Sequence, residues 1–213
     1  MRKYFLSLAV CGLLFSTACY QTTTTNNNNN QSNKQNGQNT EVVNNNNNEN
    51  QETKKEEKED NIDKNSFQNA NGKFSINFPG DPEGPVKSEL KNKAGIIVNY
   101  QFTYQKSDNA FYFATYSDYP VGAITDSNVE EALKSQAETF MKNMGGKIEK
   151  SDSERLNGNK GLTFSGVVRD SLNVNMRSYF VGKRYYQFGT MAYNSEISDK
   201  EAKKFMNSFK LIK

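Results

Sequence analysis

LNVNMRSYFVGKRYYQFGTMAY, residues 172 to 193, decides the fold. Leu172 to Val181 and Arg184 to Tyr193 are two runs rich in aromatic and β-branched residues, separated by Gly182-Lys183. Alternation of that kind across a two-residue break containing glycine predicts an antiparallel hairpin. Just upstream, Lys147 to Leu156 and Lys160 to Arg169 repeat the pattern across Asn157-Gly158-Asn159, a strong turn signal because Asn and Gly tolerate positive φ.

Further upstream, Phe74 to Phe78 alternates and then stops at Pro79-Gly80-Asp81-Pro82. Gly95 to Gln105 is predicted to put Ile96, Val98, Tyr100, Phe102 and Tyr104 on one face of a strand and Asn99, Gln101 and Thr103 on the other. Ala110 to Tyr119 follows as its hairpin partner across Lys106 to Asn109. Ser127-Asn128-Val129-Glu130 has capping-box spacing, and Val129, Leu133, Ala137, Phe140 and Met144 keep helical period up to Gly145-Gly146. Ser198 to Glu201 repeats the box before a short helix with Ala202, Phe205 and Met206 inward, closed by Phe209 and Leu211. Strands, helix, strands, helix in that order predict an α+β fold: a mainly antiparallel sheet flanked by two helices.

Phe-x-Ile-x-Phe-Pro-Gly-x-Pro at Phe74 to Pro82, Tyr-Ser-Asp-Tyr-Pro at Tyr116 to Pro120, Arg-x-Tyr-x-Val-Gly-x-Arg-Tyr-Tyr at Arg177 to Tyr186 and Phe-x-x-Ser-Phe-Lys-Leu at Phe205 to Leu211 occur in that order. Together they resemble the small PsbP-like bacterial proteins. The resemblance implies an antiparallel sheet flanked by helices, and a protein that docks onto larger partners rather than catalysing a reaction. It carries no catalytic residue and no cofactor.

The residues outside residues 66–213 are of another kind. Met1-Arg2-Lys3 is a charged start, Tyr4 to Phe15 is apolar, and Ser16-Thr17-Ala18-Cys19 follows. An apolar stretch of about a dozen residues is short for a permanent membrane span and right for an export signal. The small residues before Cys19 resemble the bacterial lipobox, with Ser16 where Leu is usual. Residues 1–18 are therefore expected to be a lipoprotein signal peptide and Cys19 the acylated residue, with a lipid such as palmitate anchoring an extracytoplasmic protein to a bacterial membrane. Cys11 is the rival acylation site, but cleavage there would leave too short an apolar region and Val10 before the cut. Residues 19–65, with Asn runs at Asn26 to Asn30 and Asn44 to Asn48, lack large apolar side chains and are expected to be a disordered tether. As a flexible coil, such a tether spans roughly 35 to 40 Å, and fully extended ~150 Å.

Function is bounded mainly by absences. The chain has no His, and its two cysteines both precede residue 20. Residues 66–213 thus lack the usual residues for triads, thiol nucleophiles and zinc sites. Asp81-x-Glu83 and Asp152-x-Glu154 are carboxylate pairs, too few ligands for a Ca²⁺ cage. Asp118 reads either as a buried acid or as an exposed strand-end acid. The net charge of +3 is dispersed, which argues against nucleic acid. Arg177, Tyr179, Arg184 and Tyr185 form the candidate docking surface, since Tyr and Arg are favoured at interface hot spots; the competing reading is that strand tyrosines are simply good sheet formers. The expected function is a non-enzymatic binding or accessory module of an envelope complex, with a protein partner and a lipid anchor. The alternatives are an envelope enzyme using carboxylate, Lys or Tyr chemistry, or a small-ligand-binding lipoprotein.

Overall fold

The computed structural model describes residues 66–92, 95–169 and 171–213. The signal peptide, Cys11, Cys19 and the tether lie outside the described residues.

The described residues build a seven-stranded antiparallel sheet in the order β3-β4-β5-β9-β8-β7-β6. Its strands are β3 (Glu83–Asn92), β4 (Gly95–Ser107), β5 (Ala110–Asp118), β6 (Gly146–Leu156), β7 (Asn159–Val168), β8 (Leu172–Val181) and β9 (Arg184–Tyr193). A second sheet joins β1 (Phe67–Asn69), β2 (Phe74–Ile76) and β10 (Lys210–Leu211), with β2 in the middle. Helix α1 (Val129–Met144) follows β5, and helix α2 (Asp199–Asn207) follows β9. This is the expected α+β class, with the sheet dominant.

Local chemistry explains the turns. Asn157 and Gly158 sit at φ 49° and 83°, as a tight hairpin connection requires, and Gly182 at φ 58° opens the β8–β9 turn. Helix α1 buries Val129, Leu133, Ala137, Phe140 and Met144 along one stripe. It ends at Gly145, whose left-handed φ of 75° lets its amide bond back to Lys142 and Met141.

The large sheet has two covered faces. On one, α1 lies over β6, β7 and β8, packing Leu133, Phe140 and Met141 against Leu162, Phe164, Val174 and Met176. On the other, α2 lies on β8 and β9, and the core holds Phe74 of β2, Phe102, Tyr112, Tyr186, Phe188 and Phe209. Central strands β5 and β9 are buried along almost their whole length, because both of their faces are covered. Burying each large side chain stabilises the fold by about 1.5 to 3 kcal/mol before ordering costs.

Three expectations need correction. Ser127 does not cap α1: Asn128 is the N-cap and makes no side-chain capping bond. The loop consumes both side chains instead. Asn128 Oδ1 accepts from the Thr125 amide at 2.8 Å, and the Ser127 and Thr125 hydroxyls pair at 2.9 Å. Strands β1 and β3 also stand where the pattern of residues suggests no strand. Finally, both faces of β4 enter the structure. Asn99 and Gln101 are 5% and 4% exposed while Ile96 is 52% exposed. Ile96 lies opposite Lys91 on edge strand β3, whereas Asn99 lies beside Ser117 of β5, whose hydroxyl donates to Asn99 Oδ1 at 2.8 Å.

Candidate functional site

The hairpin of β8 and β9 does not present the expected docking surface. Tyr179 and Tyr185 are 3% and 5% exposed. Antiparallel geometry sends them to opposite faces. Tyr179 stacks on Phe188 and Phe209 in the α2-side core, and Tyr185 packs against Phe180 and Tyr119 on the α1 side. Burial pushes both phenols above their ordinary pKa, and Tyr119 up to about 12. Neither tyrosine is available to a partner.

Arg184 is engaged internally, while Arg177 is held loosely and lines the cavity beside α2. Arg184 holds Asp118 through two bonds, Nε to Oδ1 at 2.7 Å and Nη2 to Oδ2 at 2.8 Å. Its third donor reaches the Asn71 carbonyl at 2.7 Å, and the guanidinium lies 4.8 Å from the centre of the Tyr116 ring. Nearby, the Tyr186 hydroxyl donates to the Gly72 carbonyl at 2.7 Å. These groups fasten the turn between β1 and β2 onto β5 and β9. The hydrogen bonds from Arg184 hold the Asp118 carboxyl below its ordinary pKa, so this acid is partly buried and ionised. Arg177 stands 3.5 Å from Glu154 and donates weakly to the Met206 carbonyl at 3.4 Å.

What the fold leaves open is a polar trough beside α2. Its floor is the α2-side face of the outer strands, where Lys150 lies opposite Ser165, Asp152 opposite Thr163, and Ser165 opposite Asn175. Asp199 and Lys203 form its helical wall. Two adjoining cavities of about 320 and 790 Å³ share Lys150, Ser165, Asn175 and Asp199. Hydroxyl and amide groups offer both donors and acceptors, and charges of both signs line the rim. The trough suits a polar molecule or chain segment rather than an apolar one.

The sequence carried a signal for this floor. Thr163 and Ser165, like Asn173 and Asn175, occupy the polar positions of an alternating strand. Such positions read as an ordinary wet face until the neighbouring helix turns part of that face into a trough. Among the described residues, no group of three or more His, Cys, Asp or Glu is placed to hold a metal. No helix among them is long and apolar enough to cross a membrane.

The structure is similar to the solution structure of cyanobacterial PsbP from Synechocystis sp. PCC 6803. Sequence identity is 10% and the TM-score 0.47, with 68% of this chain and 91% of that one covered. No protein-family profile matches the sequence, and no curated protein does.

Proposed function

We propose that this chain is a bacterial lipoprotein, held on the extracytoplasmic side of a membrane by acyl groups on Cys19. In this reading residues 66–213 are a non-enzymatic binding module of an envelope complex. The observation that carries the binding reading is the trough, where hydroxyls and amides from adjacent strands are lined up beside the ionic wall of α2. With neither His nor Cys beyond residue 19, catalysis would rest on carboxylates, Lys or Tyr. The tyrosines beside the arginines, Tyr179 and Tyr186, are packed into the core.

The anchor is tested by metabolic labelling with a palmitate analogue: label on the wild type and none on Cys19→Ala is expected, and label retained on the variant refutes it. The module is tested by placing a photoreactive residue at Ser165, or at Asn157 on the distant hairpin, in intact cells. Adducts formed from Ser165 and not from Asn157 support the trough as the binding surface. Equal yields, or none from Ser165, count against it.

A further inference from the structure

The two edges of the large sheet, β6 and β3, both carry charges and a register shift, but differ in the order of those charges. Outer strand β6 carries Lys147, Glu149, Lys150, Asp152, Glu154 and Arg155, and its register with β7 is broken between Ile148 and Lys150. Charges and a bulge are the usual defences against edge-to-edge pairing. The charges also weigh against self-pairing across a two-fold axis centred on Asp152 or Ser153. Centred on Asp152, that carboxylate would meet its own copy, and centred on Ser153, Asp152 would meet Glu154; centred on Ser151, Lys150 would meet Asp152 favourably, and there it is the bulge that interrupts the ladder.

Strand β3, the opposite edge, has Pro85 and a register shift only at its start, between Glu83 and Val86, and its central part carries one Lys and one Glu, Lys87 and Glu89, joined at 2.9 Å within the strand. That part reads Val86-Lys87-Ser88-Glu89-Leu90. Lys87 and Glu89 project on one face, beside Tyr100 and Val98, and Val86 and Leu90 on the other, beside Gln101 and Ile97. Val86 is 47% exposed, large for an apolar side chain on a strand edge. The segment is self-complementary. In an antiparallel pairing about Ser88, each Lys87 meets the second copy's Glu89, and each Val86 meets the second copy's Leu90. The small Ser88 meets itself on the axis. Opposite charges and apolar pairs directly across two strands both favour such a ladder.

We propose that strand β3 is a homodimer interface, pairing antiparallel with β3 of a second copy about Ser88 and joining two seven-stranded sheets into one. Pro85 falls opposite the second copy's Lys91 and supplies no N–H, so the ladder ends there. The pairing is short, and the dimer exchanges readily.

A disulfide on the symmetry axis traps it. Directly opposed residues of antiparallel strands have Cα atoms about 4.5 to 5.5 Å apart, within disulfide range. Ser88→Cys in the full chain, treated with a mild oxidant in intact cells, is expected to give a reducible product of twice the chain mass. The wild type controls for Cys11 and Cys19, and Ser153→Cys on β6, where Asp152 would meet Glu154, is expected to give none. Adding Lys87→Glu to Ser88→Cys should lower the crosslinked fraction by about an order of magnitude, because two attractive pairs become repulsive. Adding both Lys87→Glu and Glu89→Lys should restore it, with the local charge composition around the thiol unchanged from the start. No product from Ser88→Cys, a product of another mass, equal product from Ser153→Cys, an indifferent Lys87→Glu, or an exchange that fails to rescue would each overturn the proposal.

Discussion

The two faces of the large sheet are built from different materials. On one, the 16-residue α1 contributes a mainly aliphatic and methionine stripe with a single ring, Phe140, and meets Leu162, Phe164, Val168, Val174 and Met176. On the other, the covering pieces are short: three residues each for β1 and β2, two for β10 and nine for α2. Elements of that length bury little surface unless rings come with them. Phe74, Phe205 and Phe209 supply these. Phe209 alone meets four other rings, with centroids 4.1 Å away for Phe188, 5.4 Å for Tyr186, 5.6 Å for Phe74 and 6.2 Å for Tyr179. Directed bonds from Arg184 and Tyr186 to the turn carbonyls add to them. A long element can rely on stripe packing; short ones need rings and hydrogen bonds.

The largest effect is expected from Phe209→Ala, which should cost ~3 to 5 kcal/mol, as for other large core aromatics. Leu133→Ala on the α1 side should cost somewhat less, about 3 kcal/mol, because one of many stripe positions is lost. Denaturant titration of both variants ranks the two faces; a larger loss for Leu133→Ala would reverse that ranking.

Asp118 gives the aromatic face its pH dependence. Its folded pKa lies below the unfolded value, so its contribution is present above the unfolded pKa of ~3.9 and is lost as pH falls through the folded value. Asp118→Asn should therefore be less stable than wild type at neutral pH, by roughly 1 to 2 kcal/mol for a part-exposed bidentate pair. The gap should close on acidification below about pH 4. Thermal melts at several pH values read this directly, and a constant gap would mean that the pair contributes nothing through its charge.

The helix starts offer the smallest and most selective test. Ser198 and Glu201 form a full capping box, with the Ser198 hydroxyl accepting from the Glu201 amide and the Glu201 carboxylate accepting from the Ser198 amide. In denaturant titrations, Ser198→Ala should cost ~1 kcal/mol, and Ser127→Ala less than ~0.5 kcal/mol, although both serines carry the same sequence signature.

That pair of serines shows what was legible and why the rest was not. Spacing predicts a box, but whether the side chain is free to cap depends on the loop before it, and the Thr125 to Asn128 loop closes on itself. The long, aromatic-rich strands β4, β5, β8 and β9 were readable because alternation persists over many residues. Strand β3 was not, since a proline-rich stop precedes it and only two large apolar residues, Val86 and Leu90, mark its span. The two tyrosines of the docking set were misplaced for a related reason: Tyr179 and Tyr185 are of a type enriched in strands and at interfaces alike, and only the position of Phe209 and Tyr119 decides between the two, whereas Arg177 of that set lines the trough. The trough lay in positions that alternation marks as polar, yet its helical wall comes from a segment far along the chain.

The strand order has one consequence for how the chain reaches this state. Every neighbouring pair in the large sheet is a sequence-adjacent hairpin except β5 and β9, whose pairing joins Ala110–Asp118 to Arg184–Tyr193. Two locally connected meanders, β3 to β5 and β6 to β9, can each form with little loop closure. The seam between them must close across everything from α1 to β8, and that closure carries the largest entropic cost of the sheet. Rings crossing the seam, such as Tyr116 beside Tyr186, hold together two pieces that fold at different distances along the chain. Substitutions at this seam should slow folding, whereas those at the hairpin tips should mainly speed unfolding.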